Sequence, residues 1–266
     1  MKARVAQIQS VTANWYLLKL HVSAEVEFMP GQFMHIRTAE FADPLLRRPF
    51  SIHYRDPADN TVWILFQKVG RGTGAMANLS PGDTLDCLGP LGNNFETDTG
   101  DRQVMLVAGG VGIAPLYYLA SLLQRQGTSV SFLVGGQTGS HLPHESYFHY
   151  AGIEPLVSTE DGSRGYHGMV TEYFRELLWE KNGEIKPERV FSCGPQPMLA
   201  EVVAEAKQAG VPTQVSLEAP MACGVGACLG CVCGIKDNGE SAEIQYQRVC
   251  TEGPVFAGEK VVFGDE

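Results

Sequence analysis

Near residue 100 the chain changes rhythm, and that change constrains the fold more than any other feature of the sequence. Upstream, short stretches alternate apolar and polar residues: ARVAQIQSV, NWYLLKLHV, FMHIR, FSIHYR, TVWILFQKV and TLDCLG. Pro30-Gly31, Asp59-Asn60 and Pro81-Gly82 mark turns between them. Several short strands with little helix predict a small antiparallel barrel over residues 1–99. Downstream, apolar strands are each followed by an amphipathic helix: QVMLVAGG then APLYYLASLLQRQ, SVSFLVGG then a helix near HESYF, EPLVST then GMVTEYFRELLWE, and ERVFSCG then PQPMLAEVVAEAKQAG, closing on TQVSL. Strands alternating with helices require crossover connections, so residues 100–216 are expected to form a doubly wound parallel sheet of the nucleotide-binding kind. The predicted fold is therefore β plus α/β. Residues 217–266 are rich in cysteine and glycine and are expected to contain little regular structure.

At 266 residues the chain can bury two cores and a small third unit. No apolar run approaches the roughly 20 residues of a membrane span. The opening MKARVAQIQSVTANW lacks the apolar centre of a secretory signal, which predicts a cytoplasmic protein. Twenty basic against thirty acidic residues, a net charge of −10, argue against a nucleic-acid groove.

In a reducing compartment a tight group of cysteines points to metal or redox chemistry rather than to disulfides. Four of the seven cysteines fall within CGVGACLGCVC. Cys223, Cys228 and Cys231 are spaced C-x4-C-x2-C, and Cys250 follows at a distance. That is the plant-type spacing for the four thiolates of a [2Fe–2S] centre. Gly224, Gly226 and Gly230 would let the loop wrap a cluster and aim N–H groups at its sulfurs. Zinc is the alternative, although structural zinc sites usually show two paired knuckles. A zinc-stabilised, non-enzymatic interaction module would be colourless and free of iron. Cys233, two residues past Cys231 in a strand-like stretch, is expected to be a packed thiol, with replacement of a ligand as the alternative should Cys250 not reach, and Cys87 in the barrel is expected to be core.

Arg48, Pro49, Phe50 and Ser51 put a fixed positive charge, a rigid turn, an aromatic face and a hydroxyl side by side, the set a flavin nucleotide needs. An ordinary junction between loop and strand would read the same way. Gly72 and Thr73, in GRGTGAMANL, follow a strand and open a short helix that could present N–H groups to phosphate. Gly109, Gly110 and Gly112 form a glycine turn between strand and helix that would let a dinucleotide approach the backbone. Cys193, Gly194 and Pro195 occupy a second such turn, at the strand edge where open α/β sheets bind ligands. GGQTGSH, after the second strand, contains no Arg or Lys to pair a 2′-phosphate, which favours NAD over NADP. His141, His144 and His149 are expected to be solvated, and Trp15, Trp63 and Trp179 to be core.

Taken in order, RRPFSI, GRGT, GPLGNNF, VAGGVGIAPL, STEDGSRGYHGMVTEYF, CGPQPML, SLEAPMACGVGACLGC and VCTEGPVF resemble the ferredoxin-reductase superfamily, and more narrowly the electron-transfer subunits of class 1B dihydroorotate dehydrogenase. The resemblance covers nearly the whole chain. It implies an FAD-binding barrel, an NAD-binding domain and a [2Fe–2S] segment, with Arg48 to Ser51, Leu65, Phe66 and Gln67, and Gly72 with Thr73 as successive flavin segments. Cys223, Cys228, Cys231 and Cys250 match the family's cluster ligands. It further implies a catalytic partner that carries FMN and binds dihydroorotate, in a heterotetramer of two copies of each subunit. Electrons would run from dihydroorotate to FMN, then the cluster, then FAD, then NAD+, because nicotinamide takes a hydride, a [2Fe–2S] cluster passes single electrons, and a flavin does both. Three positions depart from the pattern: Gln67 replaces a basic residue, Ala219-Pro220 replace a charged pair, and Cys233 is an added thiol. No acid–base pair suited to oxidising dihydroorotate is present, so this chain alone should not perform that step. Flavin and iron–sulfur subunits of ferredoxin-dependent transhydrogenases, sulfide dehydrogenases and hydrogenases share the architecture and form the alternative reading.

Overall fold

The computed structural model describes residues 1–38, 44–98, 100–179, 186–236 and 243–264. Its first sheet is built from β1 (Lys2–Ser10), β2 (Trp15–His21), β3 (Phe33–Ile36), β4 (Arg48–Ser51), β5 (Tyr54–Asp56), β6 (Thr61–Gln67) and β7 (Thr84–Leu91), with one short helix, α1 (Arg71–Ala77), before β7. The strand order is β4-β3-β7-β1-β2-β6-β5, and every pairing is antiparallel. The sheet curls so that β4 meets β6, with Phe50 and Phe66 in edge-to-face contact at 5.9 Å. Leu18, Leu20, Met34, Ile36 and Ile64 fill its interior. β6 is buried along nearly its whole length rather than in alternation, because its outer side chains, Trp63 and Leu65, are covered by the second domain.

That domain runs β8 (Gln103–Gly109), α2 (Ile113–Arg125), β9 (Ser129–Gly136), α3 (Glu145–His149), β10 (Pro155–Thr159), β11 (Tyr166–His167), α4 (Val170–Trp179), β12 (Arg189–Cys193), α5 (Gln196–Gln208) and β13 (Thr213–Ser216). The parallel strands lie in the order β11-β10-β9-β8-β12-β13. The order reverses between β8 and β12, so the two glycine turns that follow these strands share one crevice, the position where such sheets bind ligands. α2 carries Ile113, Leu116, Leu119 and Leu123 on one buried face, each contributing about 1.5–3 kcal/mol on burial. Its far side meets the barrel at His53, a fully buried ring. Its Nδ1 lies 3.0 Å from the Ala114 carbonyl and its Nε2 2.6 Å from the Tyr147 hydroxyl. A carbonyl can only accept, so Nδ1 carries the proton and Nε2 accepts from Tyr147.

Residues beyond 217 are more regular than their composition suggests. β14 (Val232–Lys236), β15 (Ile244–Arg248), β16 (Val255–Ala257) and β17 (Val261–Val262) form there. β15-β14-β17 make a small antiparallel sheet, while β16 pairs antiparallel with β13 and extends the parallel sheet. Cys87 is buried as expected, and its surroundings push the thiol up to about 11. Trp15 and Trp63 are core, but Trp179 is half exposed at the end of α4, where its indole N–H donates to Glu205 Oε2 at 3.0 Å. An amphipathic indole is satisfied at a helix end by one polar partner, so the expectation of burial fails there. Among the described residues no helix is long and apolar enough to cross a membrane.

Candidate functional site

The cysteine loop crosses the outer face of the barrel between Cys223 and Cys231. Gly224 and Gly226 adopt φ of +71° and +77°, and Leu229 also has positive φ at 55°. Gly230 does not, so only two of the three loop glycines do the work of bending it. A Cβ on Gly224 would stand 2.5 Å from His35 Nδ1, and one on Gly226 3.0 Å from Thr251. The sulfurs fall into two pairs. Cys223 lies beside Cys228 at the surface, and Cys231 beside Cys250 in the interior. Backbone N–H groups point at them: Val225 and Cys228 donate to Cys223 Sγ at 3.5 and 3.4 Å, and Gly226 to Cys250 Sγ at 3.2 Å. Those donors, Val225 first, pull the Cys223 thiol down to about 6, whereas burial and the adjacent Cys231 push Cys250 up to about 11.

Two thiol pairs, with N–H donors aimed at the sulfurs, suit a centre of two irons. The Arg248 guanidinium braces the loop, donating to the Gly226 carbonyl at 3.2 Å and to Glu252. Cys233 points into a shallow recess beside Phe263 instead, and partial burial pushes it up to about 11.

A 450 Å³ cavity opens between the barrel, the parallel domain and the segment leading into the cysteine loop. Pro49, Phe50, Ser51, Leu65, Phe66, Gln67 and Thr73 line it, so seven of the nine flavin candidates come together. Arg48 and Gly72 do not face it. Arg48 donates to the carbonyls of Leu46 and Arg47, and Gly72 packs against Thr38. Phe33, Val111 and the run from Ser216 to Met221 complete the wall. Phe33 has no local mark, and Val111 and the Ser216–Met221 run lie in motifs not read as flavin contacts, since each reaches the cavity only through tertiary packing. Solvent reaches Glu218, yet the surrounding walls desolvate it enough to raise its carboxyl above the usual range. The long apolar walls and a few polar groups suit a flat tricyclic ring.

A second cavity, of 350 Å³, lies over the carboxyl ends of β8, β9, β10 and β12. Gly109, Gly110 and Pro195 line it. Gly112, Cys193 and Gly194 stand behind it and set its depth. A Cβ on Gly112 would lie 2.0 Å from the Cys193 carbonyl oxygen, so only glycine lets α2 start against the end of β12. Cys193 is buried, and desolvation raises its thiol well above the usual value. Among the described residues the lining includes Glu160, Glu201 and His141 but no Arg or Lys. His141 is exposed, as expected of a solvated ring, and borders this cavity. His144 and His149 are also exposed, and His144 caps α3. Gln67 lines both cavities and stands between them.

Residues 218–262, which hold all four paired cysteines, match the family model for the iron–sulfur cluster binding domain of dihydroorotate dehydrogenase B. The electron-transfer subunit of NAD(+)-dependent dihydroorotate dehydrogenase B from Geobacillus kaustophilus is 41% identical over 88% of this chain and 86% of its own. The corresponding subunit from Desulforamulus reducens is 36% identical over 98% of this chain and 97% of its own. The chain belongs to this family of electron-transfer subunits. Among solved structures, that of an NADH-dependent reduced ferredoxin–NADP oxidoreductase contains a similar chain, with a TM-score of 0.83, 30% identity, and coverage of 98% of this chain and 90% of that one. A ferredoxin–NADP+ reductase from Neisseria gonorrhoeae, solved with FAD and NADP, shares the fold at a TM-score of 0.63 and 17% identity, over 79% of this chain and 91% of its own. The ferredoxin-reductase architecture is thus the one built here, with an antiparallel barrel, a parallel-sheet domain and a segment that matches the iron–sulfur cluster binding domain.

Proposed function

We propose that this chain carries electrons from a dihydroorotate-oxidising partner to NAD+, as the electron-transfer subunit of a dihydroorotate dehydrogenase complex in pyrimidine synthesis. The observation that carries the reading is the position of Phe33. It lines the flavin-sized cavity and packs in the same apolar core as Cys231 and Cys250, so the two sites share a wall. Bound there, FAD would exchange hydride with NAD and single electrons with the cluster.

The residues divide that work. Cys223, Cys228, Cys231 and Cys250 hold the cluster; Pro49, Phe50, Ser51, Leu65, Phe66, Gln67 and Thr73 contact the flavin, with Arg48 and Gly72 shaping the approach to it. Gly109, Gly110 and Pro195 admit the dinucleotide, while Gly112, Cys193 and Gly194 hold the crevice open. Gln67 separates the two ring sites. Glu160 and Glu201 disfavour a 2′-phosphate by like charge. Residues 1–99, 100–216 and 217–266 serve as the three functional units. The partner carries FMN, and the complex contains two copies of each subunit in the cytoplasm. Cys228 is exposed among the exposed side chains of Val225, Leu229 and Val232, an apolar surface on the outer side of the cluster loop where a partner fits.

The test is to purify the complex without oxygen and measure dihydroorotate-dependent reduction of NAD+. Activity that disappears in Cys228→Ser, with FAD retained, supports the assignment. An intact complex that contains FAD and iron but ignores dihydroorotate overturns it and moves the chain to the ferredoxin-linked reading suggested by its similarity to the ferredoxin–NADP oxidoreductase chain. A preparation holding zinc and no iron would overturn both.

A further inference from the structure

β3 lies between the two redox sites. Its inward side chains, Met34 and Ile36, fill the barrel, while Phe33 and His35 face outward beneath the cysteine segment. Across the β3–β4 pairing, Phe33 stands opposite Ser51 and His35 opposite Pro49, both on the wall of the flavin cavity. His35 is completely buried, and its Nδ1 edge is pressed against Gly224, where even a methyl group would collide. The backbones of Cys223 and Arg47 lie next to the ring, yet among the described residues neither ring nitrogen has a partner in full hydrogen-bond geometry. A buried ring nitrogen left unpaired is costly, so an imidazole kept here calls for a compensating contact.

We propose that His35 is a positioning residue that fixes the cysteine loop onto the flavin-bearing strand pair by donating its Nδ1–H to the Cys223 carbonyl once the four thiols are ligated. The inference rests on the cluster assignment above. A neutral ring has a single N–H to give, and the Nδ1 edge is the one that faces the loop. Ligation would hold Cys223 and Cys228 on one centre, and with them the Cys223 backbone against the ring it already adjoins. A leucine or phenylalanine at this position would fill the space as well as imidazole does and would leave the loop held by packing alone.

The experiment uses the complex purified with its partner. Wild-type protein must first show iron, sulfide and the electron paramagnetic resonance signal of a reduced [2Fe–2S] centre; if it does not, the cluster assignment itself fails, which is a different result from the ones below. In His35→Phe the expected outcome is full FAD content, altered g-values and iron loss to a chelator about tenfold faster, the effect of one missing hydrogen bond. His35→Asn places an amide N–H close to the Nδ1 position and is expected to restore both the signal and the chelator resistance. A wild-type signal with wild-type iron retention in His35→Phe overturns the proposal. Should His35→Phe fail to hold FAD, His35→Asn decides: wild-type g-values support the proposal, and altered g-values in a protein that retains FAD overturn it.

Discussion

The cysteine loop and the flavin cavity are built in opposite ways. Three of the four thiols sit within nine residues, Cys223 to Cys231, on a loop bent by its own glycines and addressed by its own N–H groups. The cavity beside it takes its walls from β3, β4, β6, the start of α1, the start of α2 and the run from Ser216 to Met221, so no short stretch contains it. The loop's chemistry is local, and its stability is borrowed from the barrel beneath it. The cavity's chemistry is collective, and it exists only while the barrel and the parallel domain stay docked.

The sharpest division between the two is expected from Cys228→Ser. Removing one exposed thiolate should abolish cluster iron while leaving FAD content unchanged, as metal analysis and the visible spectrum would show. Joint loss of iron and FAD would mean that the sites are not separable. Phe33→Ala should blur the comparison, because this side chain belongs to both. Truncating a buried Phe costs about 3–5 kcal/mol, and the thermal midpoint, FAD affinity and iron retention should all fall together. Gly226→Ala should act on the loop alone. Forcing a Cβ into φ of +77° costs about 1–3 kcal/mol, read as faster iron loss at constant FAD content.

His53 tests the collective side. His53→Phe strands the Ala114 carbonyl and the Tyr147 hydroxyl, costing about 1–3 kcal/mol in a denaturant melt. Burial depresses its folded value from 6.5 to about 3, so the unfolded chain binds the extra proton between those limits. Wild-type stability should therefore hold above pH 6.5 and decline as the pH falls toward 3, and the variant should lose that component of the slope. The smallest effect is expected from Arg248→Gln, which removes a partly exposed, solvent-screened brace on the Gly226 carbonyl and should lower the denaturant midpoint only slightly. Its partner Glu252 is held down at about 2, chiefly by the Arg248 side chain, so this contribution should persist above the ordinary carboxylate range and fade as pH drops through 2.

What could be read before folding follows this same division. The ligand spacing, the glycine turns after β8 and β12 and the Pro49–Ser51 segment are each short-range patterns, and each reappears intact. Phe33 carries no local mark of the cavity it will face, and Glu218 and Met221 lie in a motif read only for its cysteines, because an apolar or acidic residue in a strand or connector does not show by itself which cavity it lines. Arg48 shows what local reading leaves open, since its charge suggests a ligand contact while its Nη1 donates to the carbonyls of Leu46 and Arg47.

The sequence by itself determined the order of the parts, from a period-two barrel to an alternating strand–helix sheet to a thiol loop, because hydrophobic period, glycine punctuation and ligand spacing act within a few residues of one another. Tertiary structure alone decided that β16 returns to edge the parallel sheet, that His53 locks the barrel to α2, and that β3 lies between the cysteine loop and the larger cavity. Those outcomes depend on contacts between segments separated by tens to hundreds of residues, which no local pattern encodes.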